Sequence, residues 1–510
     1  MLRSRRKPPE KLTAKDWVKD PDKCMRASLL YFNKHDYLSL NELMDGGLTI
    51  YGGPGAGKSS ILRHIVLAAL RLNVSVLGLC YKADEAMAFQ DLAKMAGRDD
   101  VHVYDPLANP FNPLLDLQQR SGHSVGTREK LLSLIMSAIN QLSESSSGES
   151  KVWAKITEVA LSAAVTIFTL AEYDMTFRLI EEFLVSLPHS EAEAASKSWQ
   201  KSNMIARAIR IAQSKDLTPA QRADLQRAAR WVMQEAAAMS ERTRQSIVVT
   251  ASSGLSMLVR GEIGDALCQT ENTWSPKEKL LDQPGVVIAA CDVQTYGDMS
   301  KVILSQLKAN IVDCMNTRDL TKSAHPVLIF ADEWSQIITP DDLVLISTLR
   351  DKRSTLVAGT QGVNQLFTAC SGFRQPEHAA RTLMGLSGNK IFCSTTDGPT
   401  LDFAESVMSS SPNLNSSFGS SENDRQGKDA STGKSEGRSQ QWSESIQPET
   451  PKYQVMRLAR GGPNFGYKVE AFVTIAGKLF RGSGGKASIK VSFDQLRLPS
   501  QSLHHRTRVR

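Results

Sequence analysis

Closely paired cysteines are missing from this 510-residue chain, and so is any long apolar run. The seven cysteines are spread singly, at positions 24, 80, 268, 291, 314, 370 and 393. This spacing argues against a disulfide framework and against a structural zinc site, both of which need cysteine or histidine ligands at short, regular intervals. We therefore expect reduced thiols in the core of a cytoplasmic protein.

The longest apolar run, at residues 159–170, is too short to cross a bilayer, which needs about 20 residues. It contains Ser162, Thr166 and Thr169 and is typical of a buried helix. The first ten residues lack the apolar segment of a signal peptide. We therefore expect no export, and a cytoplasmic protein that is at most peripheral at the inner face of the cytoplasmic membrane.

Composition indicates an ordinary globular protein, with 41% apolar and 23% charged residues and enough length for two or three domains. The formal net charge is +7. Basic residues are concentrated at both ends of the chain: Arg3, Arg5, Arg6, Lys7, Arg506, Arg508 and Arg510. Such ends suit nucleic acid or an acidic membrane surface, and equally a solvated tail.

From residue 47 onward, short β-rich runs alternate with helical stretches. This pattern predicts an α/β fold with a mostly parallel central sheet flanked by helices. The predicted strands are residues 48–51, 74–79, 101–104, 286–290, 327–331, 355–359 and 390–393, with later strands at 453–458 and 467–475.

A phosphate-binding loop, or P loop, follows the first strand, where residues 52–59 read Gly-Gly-Pro-Gly-Ala-Gly-Lys-Ser and lead into a helical run. Small residues let backbone amides approach phosphates, Lys58 reaches the β- and γ-phosphate oxygens, and the Ser59 hydroxyl ligates Mg²⁺. We assign nucleotide binding to Gly52, Gly53, Pro54, Gly55, Ala56, Gly57, Lys58, Ser59 and Ser60. The predicted cofactors are ATP and Mg²⁺.

An acidic pair, Asp332 and Glu333, ends the apolar strand at residues 327–331. Ligands collect at the carboxyl ends of parallel strands. We expect Asp332 to hold Mg²⁺ through water and Glu333 to orient or deprotonate the attacking water. The adjacent glutamate indicates hydrolysis. The alternative is an acidic strand end that only caps the next helix.

Gln361 follows another apolar strand, at residues 355–359, and is placed to sense the γ-phosphate. Many strands end in a polar residue, so this signal is unspecific by itself. Its order after the acidic strand matches RecA-like motors that have an additional strand.

These patterns divide the chain into segments. A basic lead-in covers residues 1–46, and a RecA-like P-loop domain has two parts, 47–126 and 244–408. An all-helical domain, 127–243, is inserted between them, because apolar residues there recur at helical spacing. A Ser-rich flexible linker, 409–450, leads to a β segment that closes the ATPase domain, 451–498, and to a basic tail, 499–510.

The assembled residues resemble the type IV coupling proteins of bacterial conjugation, which are FtsK/HerA-like ATPases. Four stretches carry the resemblance: residues 52–59, 104–114, 330–334 with 359–366, and 389–397. The first is shared by all P-loop proteins. The Asp-Pro and Phe-Asn-Pro-Leu elements within 104–114, and the Asn-Lys-Ile-Phe strand at 389–392, are more specific to the family.

The resemblance implies a hexamer around single- or double-stranded DNA, with a relaxase and type IV secretion components as partners. It also implies that Arg350 acts as an arginine finger on the next subunit's nucleotide. Arg353 is the competing candidate, and a plain surface arginine is an equal alternative. Typical members carry an N-terminal membrane anchor, whereas about 46 mostly polar residues precede the first strand here. A membrane-anchored partner protein, or a mobilisation role, is therefore expected.

The leading hypothesis is an ATP-hydrolysing DNA translocase that delivers a relaxase-bound strand to a secretion channel. The alternatives are a HerA-type translocase or helicase in repair or defence, a secretion ATPase acting on protein substrates, and a nucleotide-switched scaffold. The Phe-Asn-Pro-Leu element favours conjugation.

Overall fold

The structure, a computed structural model, describes residues 12–142, 150–373, 375–408, 410–425 and 433–496. Within these residues the strands form one nine-stranded sheet and two separate two-stranded sheets. The strands are β1 (Ser28–Tyr31), β2 (Tyr37–Ser39), β3 (Leu48–Tyr51), β4 (Ser75–Cys80), β5 (Val101–Tyr104), β6 (Val286–Ala290), β7 (Val327–Ala331), β8 (Ser354–Thr360), β9 (Asn389–Cys393), β10 (Ser410–Arg425), β11 (Gly433–Pro448), β12 (Lys468–Thr474) and β13 (Ser488–Asp494).

The large sheet has the order β13-β12-β9-β3-β8-β7-β4-β6-β5. The strands from β9 to β5 are parallel, and β12 and β13 extend the sheet in antiparallel pairing. Strands β3, β4, β7, β8 and β9 are buried along their whole lengths, as parallel strands covered on both faces must be. The predicted α/β fold with a mostly parallel sheet is confirmed.

Helices lie on both faces of this sheet, and further helices pack on one another. They are α1 (Ala14–Lys19), α2 (Pro21–Met25), α3 (Leu40–Gly46), α4 (Lys58–Arg71), α5 (Ala83–Ala96), α6 (Pro113–Ser121), α7 (Val125–Leu142), α8 (Ser150–Leu170), α9 (Phe177–Val185), α10 (Glu191–Ala195), α11 (Lys197–Ser202), α12 (Met204–Ser214), α13 (Pro219–Arg230), α14 (Glu241–Val259), α15 (Gly261–Leu267), α16 (Val293–Tyr296), α17 (Met299–Thr317), α18 (Asp342–Thr348), α19 (Val363–Ala369), α20 (Pro376–Leu386), α21 (Gly398–Val407) and α22 (Lys452–Met456). Short π-helices occur at Trp231–Ala236 and Glu278–Asp282, and 3₁₀ turns at Trp334–Gln336, Arg350–Lys352, Pro463–Phe465 and Arg481–Ser483.

Two apolar cores lie on opposite faces of the sheet. Along β7, Val327 and Ile329 contribute to one core, and Leu328 and Phe330 to the other. This division follows from the two-residue repeat of a strand, in which neighbouring side chains point to opposite faces. The first core joins the sheet to the helices α6–α9 and α11–α15, and the second joins it to α4 and α5.

The helices α6–α15 occupy the chain between β5 and β6. The described residues from Pro113 to Leu267 thus contain helices and no strand, and this stretch encloses residues 127–243, the range predicted for an inserted domain. The division of the chain into domains stays a prediction.

The lead-in predicted at residues 1–46 contains folded structure in its described part. Helices α1–α3 and the hairpin β1–β2 lie there, and Trp17, Leu38 and Leu43 are buried in the second core. A mostly polar composition concealed these few large apolar side chains.

Two sequence interpretations differ from the structure. The strand predicted at residues 453–458 is wrong, because α22 occupies this position. Val455 within α22 is buried, and so is Leu458, which lies two residues beyond the end of this helix. The segment predicted to be a flexible linker, 409–450, contains β10 and β11, which pair antiparallel over their full lengths. The prediction rested on the small number of large apolar side chains, which shows how little surface the segment can bury. It does not show whether the backbone of the segment pairs with itself. The strand predicted at 467–475 is present as β12.

Across the described parts of the chain, no helix is both long and apolar enough to cross a membrane. All seven cysteines are buried as free thiols.

Close packing around Gly78 in β4 gives a test of the sheet. A Cβ at this position would lie 2.4 Å from the ring of Phe330, which is fully buried on β7. We expect Gly78→Ala to lower the free energy of unfolding by about 1–3 kcal/mol through overpacking, measured as a lower urea midpoint. The control is Gly385→Ala in α20, where a Cβ meets nothing within 4 Å and a small gain is expected. Equal midpoints for the two variants would contradict this packing.

Candidate nucleotide-binding site

The sheet order brings the P loop and the acidic pair together. Strand β8 pairs with β3 on one side and β7 on the other, so the carboxyl ends of all three lie at one edge. There the Ser59 hydroxyl donates a hydrogen bond to Oδ2 of Asp332, although the two residues are 273 positions apart. Ser59 and Asp332, which are predicted to bind the same Mg²⁺, are therefore neighbours in space.

The P loop leaves β3 and turns into α4, a 14-residue helix whose N-terminus offers backbone N–H groups and partial positive charge. Gly55 and Gly57 have φ values of 68° and 89°, which favour glycine. The loop is held to the strand ends because Gly52 N–H donates to the Thr360 carbonyl at 3.2 Å and Gly53 N–H to the Ser394 carbonyl at 3.1 Å. The backbone is thus shaped before any phosphate binds.

Lys58 is buried, with 8% of its surface exposed, and its ammonium turns back onto the loop. It donates to the carbonyl oxygens of Gly52 at 2.9 Å and Gly53 at 3.3 Å. These neutral acceptors hold the charge inside the P loop. Phosphate oxygens are stronger acceptors, since charge-assisted hydrogen bonds exceed neutral ones.

Asp332 lies at the end of β7, with 7% of its surface exposed. Burial raises its pKa, and the hydrogen bond from Ser59 and the charge of Lys58 only partly oppose this. Its second oxygen, Oδ1, is buried and has no hydrogen-bond partner among the described residues. The carboxylate therefore keeps acceptor capacity next to the Ser59 hydroxyl, and this pair of oxygen donors fits Mg²⁺.

Glu333 is held between two side chains from neighbouring strand ends. Its Oε1 accepts from Lys82 Nζ at 2.7 Å, and its Oε2 accepts from Gln361 Nε2 at 3.4 Å. Burial would lower the pKa of Lys82, but the hydrogen bond and charge of Glu333 outweigh this, and the pKa is raised. The structure thus brings Gln361 to Glu333 and adds a lysine that the sequence analysis did not single out.

Further side chains that were missed line the cleft beside Ser59 and Asp332, which has a volume of about 360 Å³. Arg63, Lys82, Glu85 and Asp292 are among them. Burial, and then the charge of Asp332, raise the pKa of Glu85 well above its ordinary value. The sequence did contain a signal for Lys82 and Glu85, since both closely follow the end of β4. They therefore lie at the same sheet edge as the P loop and the acidic pair.

Arg350 is not part of this same-chain site. It precedes β8, whereas Gln361 follows that strand, so the two residues are at opposite ends, roughly 20 Å apart for a strand of this length. Its side chain is 66% exposed and pairs with Asp45 at 3.4 Å. The rival candidate Arg353 pairs with Asp22 at 3.7 Å. A role across a subunit boundary stays a prediction for both.

Comparison with protein families gives a match to the model for type IV secretory system conjugative DNA transfer, over residues 13–339. This match covers more than half of the chain. The chain belongs to this family of type IV coupling proteins. A search of curated protein sequences gives no match.

Solved structures of a coupling protein share the fold. The plasmid coupling protein TrwB in complex with the ATP analogue ADPNP has 13% sequence identity and a TM-score of 0.57, with 97% of this chain and 95% of that chain covered. TrwB with ADP and Mg²⁺ has 13% identity and a TM-score of 0.52, covering 97% and 91%. The unbound conjugative coupling protein TrwBdeltaN70 has 13% identity and a TM-score of 0.54, covering 96% and 92%. These likenesses extend along nearly the whole chain, beyond the part that the family model matches.

The Phe-Asn-Pro-Leu element of this coupling protein joins the sheet to the helices. The side chain of Asn112 caps α6 by accepting from Leu114 N–H at 3.0 Å, and its Nδ2 donates to the carbonyls of Met175 and Gln269 at 2.9 and 2.8 Å. Phe111 packs against Trp274, with ring centroids 4.8 Å apart. The element thus has a structural role where the chain enters α6.

The Asn-Lys-Ile-Phe element supports the P loop from behind. Asn389, the first residue of β9, donates from Nδ2 to the carbonyls of Glu42 at 2.8 Å and Gly47 at 2.7 Å. These bonds fix the chain just before β3. Because the P loop directly follows β3, these bonds also help to position the P loop.

Ionisation of Asp332 gives a test of the site. Because the folded state raises the pKa of Asp332, it binds this proton more tightly than the unfolded state, and stability falls as pH rises through the folded-state pKa. We expect Asp332→Asn to unfold at a higher temperature than the parent at pH 7 without Mg²⁺, and the difference to shrink as pH falls toward about 4, near the ordinary pKa of aspartate.

The measurement is thermal unfolding with and without Mg²⁺. Glu333→Gln, which removes an ion pair with Lys82, is the control and should show no gain in stability. An Asp332→Asn protein less stable than the parent at pH 7 would contradict the burial of an incompletely compensated charge.

Proposed function

We propose that this coupling protein is an ATPase that translocates DNA and delivers a relaxase-bound strand to a type IV secretion channel. The observation that carries the proposal is the meeting of Ser59 with Asp332 and of Glu333 with Gln361 at one edge of the sheet. Membership of the conjugative DNA transfer family supports the choice of DNA. The site contacts therefore support ATP hydrolysis, and the family match supports DNA as the transported molecule.

ATP and Mg²⁺ are the proposed cofactors. Oδ1 of Asp332 has no hydrogen-bond partner among the described residues, and its position beside the Ser59 hydroxyl supports a metal site. The fold neighbours with ADPNP and with ADP and Mg²⁺ support a nucleotide in this cleft. When bound, Mg²⁺ would offset the negative charge of the phosphates. Ser59 and Asp332 would hold it, the latter through water.

Each polar residue then has a role that its position supports. The amides of residues 52–60 and the N-terminus of α4 bind phosphate oxygens, and Lys58 exchanges the carbonyls of Gly52 and Gly53 for them. Glu333 orients the attacking water or accepts its proton. Lys82 and Gln361 hold the Glu333 carboxylate in place, and Gln361 is where a γ-phosphate is sensed.

The proposed assembly is a homo-oligomer, with a hexamer around single- or double-stranded DNA as its form. Relaxase, secretion components and a membrane-anchored protein are its proposed partners. The alternatives, a HerA-type translocase in repair or defence and a secretion ATPase acting on protein, use the same nucleotide chemistry. The family match favours conjugation over both.

DNA dependence of hydrolysis tests the function. We expect duplex or single-stranded DNA to raise the rate of ATP turnover. Lys58→Ala should lose nucleotide binding. Glu333→Gln should keep it but hydrolyse about 10²-fold or more slowly, because general-base assistance is lost. Steady-state hydrolysis with titrated DNA, and binding of ADPNP, are the measurements.

The control is Glu377→Gln, an exposed glutamate of α20 that is not among the residues lining the cleft, which should leave hydrolysis unchanged. Normal hydrolysis by Glu333→Gln would refute its assignment as the base. Turnover that is indifferent to DNA would favour a protein-secreting ATPase or a nucleotide-switched scaffold.

Arg350 gives a test of assembly. If it completes the nucleotide site of the next subunit, Arg350→Ala should lower turnover by on the order of 10³-fold, the effect of losing an arginine finger. Mixing this variant with Lys58→Ala subunits should restore part of the rate, because the Lys58→Ala subunits still supply Arg350 to a neighbour with an intact P loop.

The parallel variant Arg353→Ala distinguishes the two candidates. If a mixture of Arg350→Ala and Lys58→Ala subunits hydrolyses ATP no faster than either variant alone, action of Arg350 across the subunit boundary is contradicted.

A further inference from the structure

The C-terminal strands form a wall along the side of the P loop that faces away from the acidic pair. The side chain of Val469 in β12 lies against Gly57, where a Cβ would be 2.4 Å from it. Gln495, just after β13, donates from Nε2 to the Ser60 hydroxyl at 3.0 Å, and its Oε1 accepts from Gly462 N–H at 2.6 Å. The loop at residues 459–467 is thereby fixed to the start of α4.

Arg460 in this loop places a second cation beside the P loop. Its Nε donates to the Ser394 hydroxyl at 3.3 Å, and its guanidinium reaches to 3.9 Å from the position of a Cβ on Gly53. The residue is exposed, and within the described residues it forms no ion pair with a carboxylate. The anchored Nε leaves the other guanidinium nitrogens able to bind an anion.

The sheet order sets the direction in which a nucleotide would lie. Strands β8 and β7, with Gln361 and Asp332 at their ends, are on one side of β3, and β9 and β12 are on the other. Lys58 and Ser59 place the metal-bound end of the polyphosphate toward Asp332. The α-phosphate and the nucleoside must therefore leave toward the β9 and β12 side, where Arg460 lies.

The same loop also carries two exposed aromatic side chains. Phe465 is 46% and Tyr467 is 38% exposed, although both are large apolar side chains. Nucleobases stack on aromatic rings of this kind. The loop at residues 459–467 therefore combines an available cation with apolar surface, as a phosphate joined to a nucleoside requires.

We infer that Arg460 binds the α-phosphate of a nucleoside di- or triphosphate held by the P loop of the same chain. This inference rests on the proposed function and adds to it the part of the site that lies next to the nucleoside. Arg460 does not touch the γ-phosphate end. It contributes equally to ATP and ADP and acts on binding, whereas Glu333 acts on hydrolysis.

Equilibrium binding of ATP and ADP to the full chain, with Mg²⁺, tests the inference. Arg460→Ala should raise the Kd of both nucleotides by the same factor, about tenfold, which is about 1.4 kcal/mol. Hydrolysis should show a raised KM with kcat unchanged, as expected when an interaction equal in ground and transition states is lost. Arg460→Lys should recover part of the affinity because it keeps the charge and loses the guanidinium fork.

The matched control is Arg457→Ala, an exposed arginine next to α22 whose guanidinium stacks on Tyr453 at 5.4 Å; its nucleotide affinity should equal that of the parent. Unchanged affinity in Arg460→Ala would overturn the inference, and so would weaker ATP binding with unchanged ADP binding. A parent protein that binds no more nucleotide than Lys58→Ala would instead refute the proposed function, so the two failures are distinguishable.

Discussion

One contact, between the hydroxyl of Ser59 and the carboxylate of Asp332, joins the two halves of the candidate site. It spans the end of β8, which separates the strand before the P loop from the strand before the acids. The contact exists only when β3, β8 and β7 are adjacent, parallel and in register. Everything else at this edge, including Glu333 and Gln361, depends on the same three strands.

Charge at this edge is unevenly distributed. Asp332 and Glu85 are buried carboxylates, and the charge of Glu333 raises the pKa of both, whereas Lys82 lowers the pKa of both and Lys58 that of Asp332. Burial raises the pKa of both Asp332 and Glu85, and the lysine charges oppose this only in part, so added positive charge would favour the ionised forms. A divalent cation would provide it, whereas a triphosphate without one would add to the repulsion.

Much of this site could be predicted from residues close together in the chain. The glycines, Lys58 and Ser59 lie within eight positions, and Asp332 and Glu333 directly follow an apolar run. Lys82 was missed because nothing in its local pattern shows that β4 lies beside β7. Arg460 was missed because it enters from a loop about 400 positions after the P loop. Residues 453–458 were misread because alternation over six residues also permits a short helix.

By itself the sequence determined the fold class, the phosphate-binding loop and the acids at the end of β7, because each depends on backbone geometry and apolar periodicity over a few neighbouring residues. Only the tertiary structure decided that Lys82 holds Glu333, that Arg350 lies at the far end of β8, and that the C-terminal strands wall the P loop. Such contacts follow from the order of strands in the sheet. That order is set by packing of the whole chain, which no local pattern encodes.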